Sequence, residues 1–248
     1  MTLENTSTLM IHKPGSFRVS LDQLRHLPVP EAMGPRHRPI PHHILVDTIV
    51  DQVTDRGWTV AKQQLATARK GRMLFGLMDL RGPDTTEGLG TTFGFRSSTN
   101  QSFAIRGVAG ARVFVCDNLA LSGQEFVMNH KLTTRLNLPF LISKALNKFI
   151  DQSKMLMEDI EKMKRILLTD STAKIRLFNL FNSGAMPIHL FDDVAQLYFK
   201  PQDEHPDCQP RSAWGLHNAC TRAIKLLKPA AQFTSTIDVG RQFDLAAA

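Results

Sequence analysis

The sequence predicts an α+β fold, with an antiparallel sheet of about four to five strands packed on a long helix and followed by a C-terminal helical part. Three observations predict it. Between Trp58 and Cys116 the chain is β-like in composition, and its Gly-, Pro-, Ser- and Asn-containing separators are too short for crossover helices, so neighbouring strands run antiparallel. From Asn137 to about Leu168 apolar residues recur at steps of three and four, the period of one helical face. Beyond that point shorter helical patterns alternate with Gly and Pro stops. A chain of 248 residues with 42% hydrophobic and 21% charged residues can bury a substantial core.

Residues 1–40 read as a flexible basic arm, interrupted by Pro28, Pro30, Pro35 and Pro39, with one short helical turn near Leu21 to Leu27. Residues 41–248 read as a single α+β domain, strand-rich over 57–120 and helical over 137–228. Pro41 opens a helix carrying Ile44, Leu45, Thr48, Ile49, Gln52 and Val53 at helical spacing, which Gly57 ends. Strands follow at about Thr59 to Thr67, Arg72 to Leu80, Thr91 to Arg96, and Ser102 to Cys116, the last bending at Gly107 or Gly110 to give two. Asp117-Asn118 reads as the turn leaving the sheet.

Pro139 marks the start of the longest helix, whose stripe Ile142, Leu146, Phe149, Leu156, Ile160, Met163 and Leu167 is wide enough for a core face. Ser171 then caps a helix to about Asn182, another runs near Leu190 to Phe199, and Ser212 caps a last one that Pro229 stops. The tail Phe233 to Leu245 reads as a strand or ordered coil. Met1 to Ile11 lacks the basic start and apolar run of a signal peptide, and no stretch is long enough to span a bilayer, so the expected location is the cytoplasm, without membrane contact. Cys116, Cys208 and Cys220 include no C-x-x-C pair and read as free thiols.

The net charge of +7 is unevenly placed. Met1 to Ile150 holds 18 Lys and Arg against 11 Asp and Glu, whereas the remainder balances at 12 against 12. A localised basic excess attracts polyanions, nucleic acid first among them. In and around the strands the candidate phosphate contacts are Lys62, Arg69, Lys70, Arg72, Arg96, Arg106 and Arg112, with Asn100 on a turn. Phe75, Phe93, Phe95 and Phe103 are interleaved with them, the mixture a single-strand site uses for phosphate attraction and base stacking. The competing reading makes these phenylalanines core and the arginines a solvated face.

Catalytic signals are weaker. Cys116-Asp117-Asn118 with His130 invites a nucleophile reading, but nothing in the sequence brings His130 to Cys116. Arg36-His37-Arg38 with His42 and His43 has the groups to contact phosphate or hold a metal but reads first as a solvated basic linker entering a helix, and Glu204-His205-Pro206-Asp207-Cys208 groups metal-capable side chains without ligand spacing, so no metal is expected. His217, one turn from Trp214 and Cys220, reads as a core or interface residue. The glycine pairs at 88–90 and 107–110 lack the setting of a phosphate cradle, and no cofactor is expected.

The chain resembles the phage- and plasmid-borne proteins grouped as domain of unknown function 932, over about Pro41 to Asp244. The resemblance rests on Phe95-Arg96-Ser97-Ser98-Thr99-Asn100-Gln101-Ser102, on Gly110-Ala111-Arg112-Val113-Phe114-Val115-Cys116-Asp117-Asn118-Leu119-Ala120 with Ser122-Gly123, and on Ala213-Trp214-Gly215-Leu216-His217-Asn218-Ala219-Cys220-Thr221. It implies a mobile-element or bacterial origin and no established reaction. The order of several antiparallel strands and then a long helix is also similar to the core of single-strand annealing proteins of the Red-beta and Erf kind, which form rings or filaments on DNA. That resemblance implies a homo-oligomer in which Arg96, Arg106 and Arg112, with Lys131, Arg135, Lys144 and Lys148, line a phosphate groove for single-stranded DNA. Strand pairing would then need neither covalent chemistry nor ATP. The alternative is an interaction protein, such as an inhibitor of a host-defence complex, and a cysteine- or metal-dependent hydrolase comes third.

Overall fold

The computed structural model describes residues 16–82, 89–113, 118–201, 208 and 211–244. Its strands are β1 (Ser16–Val19), β2 (Thr59–Ala68), β3 (Met73–Arg81), β4 (Leu89–Ser98), β5 (Ile105–Val113) and β6 (Asn118–Met128). They form one antiparallel sheet in sequential order, so every neighbour in the chain is also a neighbour in the sheet. The helices are α1 (Leu21–Arg25), α2 (His42–Thr54), α3 (Leu132–Leu136), α4 (Leu138–Arg165), α5 (Asp170–Asn182), α6 (Phe191–Phe199), α7 (Ala213–Ile224) and α8 (Pro229–Gln242). The α+β class stands as the sequence predicts it, with six described strands instead of four to five: β1 and β6 are additional, and the segment expected to bend at Gly107 or Gly110 into two strands is the single strand β5, with a register shift against β6 between Val108 and Gly110.

Residues 16–40 are not a detached arm. β1 pairs with β2 from Ser16↔Ala68 to Val19↔Leu65. A capping box then starts α1, with the Gln23 N–H donating to Ser20 Oγ at 3.0 Å and the Ser20 N–H to Gln23 Oε1 at 2.8 Å. Leu24 and Ile40 are buried, so apolar positions outweigh the prolines here. The sheet also continues past the expected exit turn, because β6 begins at Asn118 and pairs with β5. Pro229 does not end the helical part, and the segment after it is neither strand nor coil: the proline occupies the first turn of α8, where its missing N–H has no partner to lose.

The pleat sorts side chains to two faces. One face carries Leu65, Leu74, Met78, Leu80, Phe93, Phe95 and Ile105 against α2 and the first half of α4. The other carries Ala66, Leu77 and Val108 against Phe233 and Ile237 of α8. A third cluster lies beyond the sheet, where Leu156, Ile160 and Met163 in the second half of α4 meet α5, α6, α7 and the end of α8. Every described side chain of α7 except half-buried Arg222 is buried, making it the axis of that helical core. Thus α4 and α8 each belong to two clusters and hold the sheet and helical parts together.

Candidate nucleic-acid interface

Three groups of predicted contacts separate in space. Lys62, Arg96 and Arg106 share the sheet face that carries α8, since Lys62 pairs with Asp79, Asp79 with Thr92, and Arg96 with Arg106. Arg112 lies in β5 opposite Gly90. Lys62 is exposed, but Arg96 is buried to 8% exposure, with its guanidinium 4.9 Å from the Phe103 ring centre and 5.0 Å from that of Phe233. Its Nη1 donates to Thr234 Oγ1 at 3.3 Å. Arg96 therefore fastens α8 to the sheet, a planar cation between rings. The sequence could not show this, because the partners Phe233 and Thr234 belong to a helix that reads as a tail.

The second group gathers at one end of the sheet. The β2–β3 turn puts Arg69 at φ 54° and Lys70 at φ 56°, both exposed, ahead of Gly71 at φ 78°. Exposed Arg72 follows, and its carbonyl accepts the Thr99 N–H at 2.9 Å, tying this turn to the β4–β5 turn. There Asn100 Oδ1 accepts the Ser98 hydroxyl at 2.5 Å and the Ser102 hydroxyl at 2.7 Å, which fixes Gln101 at φ 62°. Asn100 is thus a turn-builder, and the residue it presents outward is exposed Gln101.

The third group lies on the helix side. Lys131, Arg135, Lys144 and Lys148 are exposed, and none forms an ion pair with a described residue. No acidic residue occurs between Glu125 and Asp151. Leu132, Leu136 and Phe140 are 52%, 71% and 68% exposed, an apolar line that the sequence reading missed. Leu132 and Leu136 lie one turn apart on α3, and Phe140, Lys144 and Lys148 follow at the same spacing on α4, the two helices being separated at Asn137, whose φ of −108° and ψ of 18° are not helical. That spacing was the available signal, obscured because apolar helical periodicity normally marks a core.

The expected stacking aromatics also divide. Phe93 and Phe95 are core, with Phe93 stacked on Phe126 at 5.8 Å and edge-on to Phe149 at 5.3 Å. Phe75 is buried, and Phe103 remains half-exposed.

His130 serves the fold. The Ile40 N–H donates to its Nδ1 at 2.9 Å, leaving the ring proton on Nε2, which donates to Ser97 Oγ at 3.2 Å. Burial, with His37 and His42 nearby, lowers its pKa to about 4. Both nitrogens are committed, and Cys116 lies outside the described residues. Burial likewise lowers His42 to about 4, partly offset by the backbone of Arg72 and Gly71 beside it. His217 lies fully inside the helical core, stacked on Trp214 at 5.0 Å, and burial lowers its pKa to about 3. Cys208 and Cys220 are buried, with the Cys220 thiol pushed up by burial and by Cys208 nearby. Residues 204–207 of the second metal candidate lie outside the described residues, and among those described no group of three or more His, Cys, Asp or Glu could hold a metal ion.

Between the 33–37 segment, the β4–β5 turn and the end of β6 lies a pocket of about 450 Å³, lined among others by Arg36, His37, Gln101, Phe103, Asn129 and Lys131. It borders the cationic line at Lys131. No described helix is long and apolar enough to cross a membrane. No family model, no curated protein and no solved structure matches this chain.

Proposed function

We propose that this protein binds single-stranded DNA and anneals or protects it, as a homo-oligomer of mobile-element origin that performs no covalent chemistry. The observation that carries the reading is the exposed set formed by Lys131, Leu132, Arg135 and Leu136 at α3 and Phe140, Lys144 and Lys148 at the start of α4, free of acidic neighbours in sequence. Lysines one helical turn apart sit roughly 6 Å from each other along the axis, close to the spacing of successive phosphates in an extended strand. An exposed phenylalanine next to them offers a face for a base. Duplex DNA hides its bases, so the same surface favours single strands.

Fluorescence anisotropy with a labelled single strand and the matching duplex, across a salt titration, tests this. Single-strand preference that weakens as salt rises is expected. Lys144→Gln with Lys148→Gln should lower the log-log salt slope by about 1.4, since each phosphate contact on a single strand contributes about 0.7. Phe140→Ala should weaken the single strand by about 1–3 kcal/mol while leaving the duplex unchanged. Absence of binding at low salt, where attraction is strongest, overturns the reading. It would favour the interaction-protein reading instead, which the same exposed Leu132, Leu136 and Phe140 support, with an acidic protein surface as partner.

A further inference from the structure

We propose that the pocket at the end of β6 binds one nucleotide unit, an unstacked base with its phosphate. The inference rests on the nucleic-acid reading above and gives that surface a terminus. The pocket volume of about 450 Å³ lies in the range of small-ligand sites. Its lining supplies each kind of contact a nucleotide uses. Half-exposed Phe103 offers a ring face, exposed Gln101 and Asn129 offer amide donors and acceptors for a base edge, and exposed Arg36 and Lys131 offer charge for a phosphate. Among the described residues no acidic side chain lines it.

The walls are held in place before any ligand arrives. Arg38 donates from Nη1 to the carbonyls of Pro35 at 3.1 Å and His37 at 2.8 Å, and its N–H donates to the His130 carbonyl at 2.9 Å. The Met33 N–H donates to His37 Nδ1 at 3.0 Å, which places the ring proton on Nε2, a buried donor without an acceptor among the described residues. Opposite this segment, the Asn100 bonds fix the turn that carries Gln101. Lys131 belongs both to the pocket and to the cationic line, so a strand lying on α3 and α4 leads its end, or one extruded base, into the pocket.

The same chemistry fits a free mononucleotide and a nucleotide within a strand, and the test separates them. The full chain is titrated calorimetrically with dAMP, deoxyadenosine and inorganic phosphate, and separately with single strands carrying 2-aminopurine at the 5′ end, the 3′ end or an internal position. Two variant pairs are compared. Gln101→Gly with Asn129→Ala alters the pocket at exposed positions and relieves the positive φ of Gln101, so the fold should persist. Lys144→Gln with Lys148→Gln alters the line alone.

Saturable dAMP binding that exceeds both phosphate and deoxyadenosine is expected. The pocket pair should abolish it and lower strand affinity roughly tenfold, the size of one base contact, and should change the 2-aminopurine signal at one position. The line pair should weaken the strand and leave dAMP binding intact. Strand binding that depends on Lys144 and Lys148, with no dAMP binding and an unmoved 2-aminopurine signal in the pocket pair, overturns the pocket and leaves the nucleic-acid reading standing. Binding of dAMP without strand binding upholds the pocket as a mononucleotide site and removes the larger reading. Phosphate binding as tight as dAMP overturns the nucleotide assignment.

Discussion

A guanidinium between two aromatic rings is worth more as a planar group than as a charge, and Arg96 illustrates the difference. Arg96→Lys keeps the charge but loses the stacking surface against Phe103 and Phe233 and the aimed donor to Thr234. The expected result is a stability loss of about 1–3 kcal/mol, read as a lower urea midpoint. An unchanged midpoint would show that charge alone holds the site. The histidines set a pH dependence in the same way. His42 and His130 have pKa values lowered by burial from an ordinary 6.5 to about 4. Between those pH values the unfolded chain binds more protons than the folded one, so stability falls as pH falls. It should be fully present above about pH 7 and be lost progressively from pH 6.5 to 4, by roughly 3 kcal/mol per ring at about 1.4 kcal/mol per unit. Urea midpoints at pH 7.5 and pH 5 check this, and equal values would mean that water reaches the rings. Residue types at these positions were legible in the sequence; their surroundings were not. Arg96, Arg106 and Lys144 read alike as cations because charge carries no record of which face a strand or helix turns to solvent.

At the scale of elements, close approach in the sheet depends on glycine. A Cβ at Gly76 would sit 2.1 Å from Phe95 Cζ, and one at Gly107 1.9 Å from Phe126 Cε1. Phe95 is almost fully buried beside Phe93, so it cannot swing away. Gly76→Ala should therefore destabilise by about 1–3 kcal/mol through overpacking, seen as a lower Tm with unchanged far-ultraviolet dichroism. An unshifted Tm would show that the Phe95 ring can move. Strands and helices with strong internal patterns were legible, and α2, β2, β3, β4, α4, α6 and α7 fall close to their expected limits. The misread elements share a cause. β6 opens Asn118-Leu119-Ala120-Leu121-Ser122-Gly123, with no β-branched residue, so pairing with β5 overrides local preference. α8 begins with a proline, which ends one helix and starts another equally well, and its core face includes Gln232, Ser235 and Thr236, which read as polar. Gln232 reaches back to the Lys225 carbonyl at 2.9 Å and the Leu227 carbonyl at 2.6 Å, acceptors left over at the end of α7. That bond is tertiary information and leaves no periodic trace.

For the molecule as a whole, the charge asymmetry was legible and the division of the basic residues among a sheet face, a set of turns and a helical line was not, because it depends on the topology. Because α4 and α8 each contribute to two clusters, the sheet and helical parts are expected to unfold together. Ile160→Ala, in the helical cluster, should lower stability by about 2–5 kcal/mol and accelerate amide exchange in β3 and β4 as well as in α5. Exchange that rises in α5 alone would show that the two parts unfold separately. Because α8 covers Ala66, Leu77 and Val108 and supplies one of the two rings around Arg96, the sheet face it covers cannot close until residues near 233–239 have left the ribosome. Every strand is synthesised before its lid. During that interval the nascent chain presents a half-finished sheet with a bare guanidinium on it, and a translational pause before Pro229 would lengthen the time in which it can be caught by a chaperone or by another chain.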